Sequence, residues 1–131
     1  MLPETDLGLI KRIKTYFSEI LKESEDPIFI QLNDIKICNE NFAKFLGFNS
    51  TDEFEKDKKD FPNDYVTEST ISDLTTAYRE AKEHYAGSTS NVAWIKKDNA
   101  TVRTDIVTVP FPFEDHILVF NDIILIYQPY K

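Results

Sequence analysis

The sequence has 131 residues, of which 41% are hydrophobic, so it can form one compact core but not two substantial domains. Its 23 acidic and 15 basic residues give a net charge of −8, which disfavours binding to nucleic acid or to anionic lipid surfaces. The single cysteine, Cys38, excludes an internal disulfide and lacks the paired spacing of a structural zinc site, so a reducing cytoplasm is expected.

Neither a secretory signal nor insertion into a membrane is expected. The first six residues contain two acidic side chains and no basic flank before an apolar stretch. No apolar run approaches the ~20 residues that a membrane-spanning helix needs. If the natural protein has a membrane part, we expect it to lie outside this chain.

An amphipathic helix is predicted near the N-terminus. Between Leu9 and Leu21, apolar residues recur at helical spacing and charged residues fill the other face. We expect residues 1–24 to form this flanking helix and residues 25–131 to form the main domain. The apolar stripe must be covered, either by the sheet of its own chain or by a second copy in a homodimer. The residues predicted for a dimer interface are Ile10, Ile13, Phe17 and Ile20.

A β-hairpin is predicted after the polar hinge that ends at Pro27. Residues 27–32 have the composition of a strand, and Ile35 to Cys38 form a second short one. Asn33 and Asp34 between them are typical of a tight turn.

Three helices are predicted after the hairpin. Asn39 is placed to cap the first, which Gly47 ends, and Ser50 with Glu53 forms a capping box for the second. The charged residues 55–60 lack an apolar period and predict a loop. The third helix carries an apolar stripe from Ile71 to Tyr85, and Gly87 is expected to follow its end.

The remaining chain is rich in β-branched and aromatic residues. It predicts strands over 92–96, 101–109 and 117–126, separated at Asp98-Asn99 and over 110–115. The two prolines of the second break predict a longer connection or a sheet edge. Consecutive strands joined by short turns pair antiparallel, so we predict an α+β fold. It has a five-stranded antiparallel sheet with helices on one face.

Four motifs in this order resemble the PAS family over about residues 25–124. Residues 37–48 resemble the family's signature, a strand ending in asparagine before a helix that closes with Leu-Gly-aromatic. Residues 50–54 resemble its Ser-x-x-Glu-Leu segment. Residues 94–99 resemble its Lys-Asp-Gly turn, with Asn99 in place of glycine. Residues 121–123 resemble its Asp-Ile-Thr ending, although Ile124 replaces threonine and the apolar run to Tyr130 departs from the usual exit into a signalling helix.

The resemblance implies a non-catalytic sensory or signal-transduction domain that binds a small ligand or a partner and mediates dimerisation. Such a domain belongs to a sensor histidine kinase of a two-component system or to another regulator, with the effector outside this chain. Large side chains between helices and sheet either line a ligand pocket or simply fill the core. The residues predicted to bind a ligand are Phe29, Asn39, Phe42, Phe45, Tyr65, Tyr78 and Trp94.

Catalytic and metal-binding residues are not predicted. His84 and His116 are the only candidates for acid–base chemistry near neutral pH or for haem ligation, and both are expected on the surface. Cys38 lies outside any motif of the kind that forms a flavin adduct and is expected to be a buried core residue. The cofactor, if there is one, is therefore unknown, and haem and a flavin–cysteine adduct are both disfavoured.

Two other functions are compatible with this element order. One is a small cone-shaped α+β enzyme resembling the ketosteroid-isomerase group, in which Asp105 or His116 would have to lie in the pocket. The other is a purely structural protein-interaction module with a filled core.

Overall fold

The computed structural model describes residues 4–33 and 35–127. Asp34 of the predicted turn, the first three residues and the end of the apolar run after Tyr127 lie outside the described residues. The helices are α1 (Glu4–Tyr16), α2 (Ser18–Glu23), α3 (Glu40–Leu46), α4 (Thr51–Lys56) and α5 (Ile71–His84), with a 3₁₀ turn at Asn63–Tyr65. The strands are β1 (Ile28–Leu32), β2 (Ile35–Cys38), β3 (Ser88–Ile95), β4 (Thr101–Phe113) and β5 (His116–Ile126).

The five strands form one antiparallel sheet in the order β2-β1-β5-β4-β3, which confirms the predicted fold class. The last strand in sequence therefore lies at the centre, between β1 and β4. A register shift between Asp105 and Ile106 interrupts the β4–β5 ladder. Residues from both ends of the chain consequently meet in the middle of the sheet.

The short helices begin and end where their local signals predict. The Asn39 side chain accepts a hydrogen bond from the backbone N–H of Phe42, and Gly47 ends α3 with φ 103°, a left-handed conformation that favours glycine. The Ser50 side chain accepts one from the N–H of Glu53 at the start of α4, which is half of the predicted capping box. The Glu53 carboxylate instead accepts from the side chains of Asn49 and Lys97.

Strand β4 is longer than predicted, because Pro110 and Pro112 lie inside it and do not form a loop. The β3 ladder ends at the pair Ser88–Thr108, so the β4 residues after Thr108 have a neighbouring strand only on the β5 side. Backbone groups alternate in direction along a strand, so the nitrogens of both prolines point away from β5, to the side that β3 no longer borders. Their missing N–H groups therefore remove no bond from the sheet.

Helices α3, α4 and α5 cover one face of the sheet, which we call the inner face. Its core is dominated by aromatic side chains, with Phe29, Phe42, Phe54 and Trp94 all fully buried. Helix α5 ends at His84, and the next residue, Tyr85, takes the left-handed conformation at φ 54°, two residues before Gly87, which was predicted to follow the helix end. This face holds the larger of the two hydrophobic clusters.

Helix α1 packs against the opposite, outer face of the same sheet. Leu9, Ile13 and Phe17 are buried there against strand residues that include Ile30 and Leu118. The predicted N-terminal helix is divided in two, since the chain turns at Phe17 before α2 begins. The division of the chain at residue 24 into a flanking helix and a main domain stays a prediction, but α1 and the sheet share one hydrophobic cluster.

Candidate functional site

The predicted ligand-binding aromatic residues mostly pack against one another. The ring centroids of Phe29 and Trp94 lie 5.5 Å apart, those of Phe29 and Phe42 lie 4.8 Å apart, and all three side chains are fully buried. Phe45 packs against the same cluster, and Tyr65 is buried within it. These five rings fill the space between the helices and the sheet, and a role for them in binding a ligand stays a prediction.

Asn39, also predicted to bind a ligand, joins three segments of the chain. Its side-chain oxygen accepts hydrogen bonds from the N–H groups of Ile28 and Phe42 at 3.0 and 2.9 Å, and its nitrogen donates to the carbonyl of Asp26 at 2.8 Å. The residue is buried, and these bonds use both ends of its amide. Asn39 therefore holds the hinge, β1 and α3 together.

Tyr78 lies at a small cleft between α5 and the β1–β2 hairpin. Its hydroxyl oxygen accepts a hydrogen bond from the N–H of Asn33 at 2.9 Å. The cleft has a volume of about 190 Å³. Phe61, Thr75 and Gln31 are among the residues that line it. We call this space the Gln31 cleft.

A chain of buried polar side chains leads from the centre of the sheet to the Gln31 cleft. The Thr108 hydroxyl donates to the side-chain oxygen of Asn121 at 2.8 Å, and the Asn121 side-chain nitrogen donates to Gln31 Oε1 at 3.0 Å. All three residues are buried, Asn121 completely. Within the described part of the chain, the Gln31 side-chain nitrogen has no hydrogen-bond partner, so it can donate to a molecule in the cleft.

Gln31 and Thr108 were not among the predicted site residues, and Asn121 was noted only as part of a motif. The available signal was a polar residue within an otherwise apolar strand, as at Gln31 between Ile30 and Leu32. Buried polar groups need partners, so such a residue indicates a network or a site. The partner could not be identified, because Gln31 and Asn121 are 90 residues apart in sequence.

A second set of ionisable side chains lies beside the cleft. Lys36, which also lines the cleft, has its Nζ 4.6 Å from the centre of the Phe54 ring and donates to the Asp57 carbonyl at 3.1 Å. Its burial lowers the pKa of its amine. Burial, together with a hydrogen bond to Asp57, raises the pKa of Tyr65. Lys36 therefore places a partly desolvated amine, held by Asp57 and Phe54, beside the cleft that its side chain helps to line.

The residues considered for catalysis do not converge on the cleft. Burial raises the pKa of Cys38 to about 12, so its thiol stays protonated and unreactive at neutral pH. His84 is exposed at the end of α5, and His116 is the first residue of β5, although a loop was predicted there. The Asp105 carboxylate accepts hydrogen bonds from Asn91 and Tyr127. Over residues 4–33 and 35–127, no group of three or more His, Cys, Asp or Glu side chains is placed to hold a metal ion.

The four residues predicted for a dimer interface are divided between buried and exposed positions. Ile13 and Phe17 are buried against the sheet of their own chain, Ile10 is half-buried, and Ile20 is 46% exposed. Other exposed apolar side chains lie on the central strands, at Val109, Ile124 and Leu125. We call these three residues and Ile20 the outer apolar set. The predicted dimerisation through Ile10, Ile13, Phe17 and Ile20 stays a prediction.

No helix in the described ranges is long and apolar enough to cross a membrane.

Comparison with known proteins finds similarity in structure alone. No protein-family model matches the sequence, and no curated protein matches it. The structure resembles the PAS domain of an HTR-like protein from Haloarcula marismortui, with a TM-score of 0.62 and 11% identity over 92% of this chain and 97% of that one. It also resembles a PAS domain of a protein from Colwellia psychrerythraea (TM-score 0.60, 17% identity, 86% and 97% covered). A PAS domain from a two-component sensor histidine kinase is similar as well (TM-score 0.59, 4% identity, 86% and 96% covered).

Proposed function

We propose that this chain, which has a PAS-like fold, is a non-catalytic sensory module of a signal-transduction protein. It binds a small polar molecule in the Gln31 cleft and responds through the outer face of its sheet. The observation that carries this proposal is the buried Thr108–Asn121–Gln31 chain, whose last amide borders the cleft. Fold alone does not determine function, whereas these side chains define a specific polar site.

The dimensions and chemistry of the cleft define the class of ligand. At about 190 Å³ it is smaller than the ~300 Å³ of typical drug-sized sites, so it accommodates a small metabolite in preference to a flavin or haem. The Gln31 nitrogen supplies a donor, Lys36 supplies a positive charge, and Phe61 supplies an apolar wall. These groups together favour a small molecule that carries a hydrogen-bond acceptor or a negative charge.

The same residues connect the cleft to the outer face. A ligand that accepts a hydrogen bond from Gln31 changes the position of its amide and hence its bond with Asn121 on β5. The next residue, Asp122, points to the opposite face because side chains alternate along a strand. Its carboxyl there interacts with that of Asp26, which lies in the hinge after α2. Ligand binding in the cleft thereby biases the position of the N-terminal helices.

The outer apolar set supports self-association as the output of the module. Ile124 and Leu125 on β5 are about half exposed, and exposed apolar side chains on a sheet face favour association with another surface. We propose a homodimer that uses this face, in a cytoplasmic regulator such as a two-component sensor histidine kinase whose effector is a separate segment or protein. One of the similar structures comes from a protein of that kind.

Ligand binding is tested by screening a panel of small anionic and hydrogen-bond-accepting metabolites for thermal stabilisation of the protein. We expect at least one compound to raise the Tm, and Gln31→Leu to abolish that rise while the protein stays folded. Asn49→Leu makes the same kind of change at an exposed amide away from the cleft and should leave the rise intact. Equal stabilisation of both variants would exclude Gln31 as the binding group.

Self-association is tested by sedimentation velocity over a range of protein concentrations. Ile124→Lys should shift the protein from dimer to monomer, whereas Ser72→Lys, on the exposed side of α5, should leave the dimer unchanged. A monomer at every concentration of the unaltered protein would contradict this part of the proposal. Deletion of residues 1–22, which contain Ile20 and the other predicted interface residues, should also weaken self-association. It is a weaker test, because it also uncovers Ile30 and Leu118.

A further inference from the structure

Strand β3 forms one edge of the sheet, and part of its backbone is unpaired. Both backbone groups of Ala93 point away from β4, since its carbonyl accepts from the Thr67 N–H at 2.9 Å and its N–H donates to the Thr70 hydroxyl at 3.1 Å. Backbone groups alternate along a strand, so those of Thr89 and Asn91 point in the same direction. Within the described ranges, neither residue has a backbone partner on that side.

A groove runs beside this unpaired edge, between β3 and α5. Its volume is about 370 Å³, and Ala77 lies among its lining residues as a small, buried side chain. Asp73 and Glu80 of α5 are the charged residues that line the groove. Ser88, at the start of β3, has a buried hydroxyl without a hydrogen-bond partner in the described structure. The groove is therefore polar and negatively charged.

The segment around Thr67 and Thr70 covers this edge at Ala93, but the part from Ser88 to Asn91 lacks other features that protect exposed strands from pairing. Proteins commonly place proline, lysine or a bulge on such an edge. The segment Ser88-Thr89-Ser90-Asn91 contains neither proline nor lysine, and its pairing with β4 is regular. The register shift of the sheet lies on the other side of β4. The edge is therefore suited to accept another strand.

We propose that the β3 edge binds an extended, basic peptide segment of a partner protein as a sixth strand of the sheet. The N–H and C=O groups of Thr89 and Asn91 hold its backbone. Every second side chain of the peptide faces the groove, where a lysine or arginine reaches Asp73 or Glu80 and a small residue lies over Ala77. This mode of recognition, strand addition, takes affinity from the backbone and specificity from alternate side chains.

The charges favour a basic peptide over a second copy of this chain. Each chain carries a net charge of −8, and edge-to-edge pairing of two copies would bring their Asp73 and Glu80 carboxylates together. A basic segment instead neutralises these carboxylates. The proposal is independent of the Gln31 cleft, because the groove lies on the other side of α5 and shares no lining residue with it.

The test uses a fluorescent peptide of about ten residues with threonine at every second position and with lysine, alanine and lysine in turn at the positions between. Fluorescence anisotropy gives its affinity for the full chain, and amide hydrogen exchange locates the contact. We expect saturable binding that weakens with salt, and slower exchange at Thr89 and Asn91. A matched peptide with glutamate in place of lysine should not bind, and one N-methylated at alternate positions should bind at least about fivefold more weakly.

Protein variants separate backbone pairing from charge. Thr89→Pro removes an outward N–H and leaves the bonds to β4 intact, so binding should fall at least about fivefold. Asp73→Asn combined with Glu80→Gln should reduce affinity about tenfold and flatten the salt dependence. Glu83→Gln, an exposed change on the same helix, is the matched control and should bind like the unaltered protein.

Three results would overturn the proposal. The first is equal affinity of the N-methylated and unmethylated peptides, which would show that the peptide backbone does not pair with β3. This comparison uses the unaltered protein, so it holds even if Thr89→Pro fails to fold. The second is peptide-induced protection confined to residues outside β3. The third is a slowing of amide exchange at Thr89 and Asn91 when the protein concentration is raised without any peptide. That result would show that the edge pairs with a second copy of the chain.

Discussion

The two faces of the sheet are covered in different ways. On the inner face, three helices and a set of interlocking aromatic rings cover Phe29, Trp94 and their neighbours completely. On the outer face, α1 buries Ile13 and Phe17, while Ile124 and Leu125 on β5 stay about half exposed. The inner face therefore supplies most of the stability and one small cleft, and the outer face supplies the surface that remains for a partner.

This difference connects the proposed input and output of the module. The centre of β5 contributes to both faces, with Asn121 buried on the inner side and Asp122 directed outward. Two adjacent residues thus link the Gln31 cleft to the hinge that carries the N-terminal helices. Substitutions of buried residues should therefore change the stability of the fold, whereas substitutions of exposed residues on the outer face should change self-association.

The largest effect is expected at Trp94 on the inner face. Trp94→Ala should lower the free energy of unfolding by about 3–5 kcal/mol, because it leaves a cavity among packed rings. It also removes the donor that bonds the Thr104 hydroxyl at 2.9 Å. Urea denaturation measures the change. Trp94→Phe keeps a ring but loses that bond, so it should lower the free energy of unfolding by less than Trp94→Ala does. If both variants lowered it equally, the packing of the ring would contribute little.

A smaller effect is expected where α1 covers the outer face. Ile13→Ala should lower the free energy of unfolding by about 2–4 kcal/mol, since Ile13 is fully buried. Ile20→Ala makes the same chemical change at a residue that is 46% exposed and should lower it by less than about 1 kcal/mol. If Ile13→Ala and Ile20→Ala lowered the free energy of unfolding equally in dilute protein, α1 would not pack on the sheet as described.

The smallest effect is expected at Asp122. Burial, followed by the neighbouring Asp26 carboxyl, raises the pKa of Asp122 to about 6 from its ordinary value of 3.8. The folded state thus favours the protonated form, so this contribution to stability is complete below about pH 4 and is lost as pH rises through about 6. Asp122→Asn should therefore raise the free energy of unfolding by about 1 kcal/mol at pH 7.5, allowing for solvent screening, and leave it unchanged near pH 4.

Thermal denaturation across this pH range measures the effect. Asp115→Asn is the control, because it makes the same change at an exposed turn between β4 and β5. A stabilisation by Asp122→Asn that is equal at both pH values would contradict the role of the Asp26–Asp122 pair.

Features set by local chemistry were predictable from the sequence. Asn39, Gly47 and Ser50 end or begin helices through bonds and backbone angles within a few residues, and each acts as its type predicts. For Pro110 and Pro112 the sequence left two alternatives, a longer connection and a sheet edge, and the structure shows the edge, because β4 continues there beyond the end of β3. That information belongs to the tertiary structure.

The candidate site was predicted less well than the fold. Tyr78 was identified and lies at the Gln31 cleft, but the other predicted aromatic residues fill the core. Their size and polarity are the same whether they pack against one another or against a ligand, so composition could not separate the two cases. The chain from Thr108 to Gln31 depends on the register of three strands, which no local pattern encodes.

The most direct test of the account is the NMR signal of the Gln31 side-chain amide during titration with the metabolite that stabilises the protein most. We predict that the Gln31 signal moves with saturable binding and that the Asn121 side-chain amide, its hydrogen-bond partner, moves with it. A bound metabolite that leaves both signals unchanged, or the absence of any binding compound across the panel, would contradict the proposed sensory role of the cleft.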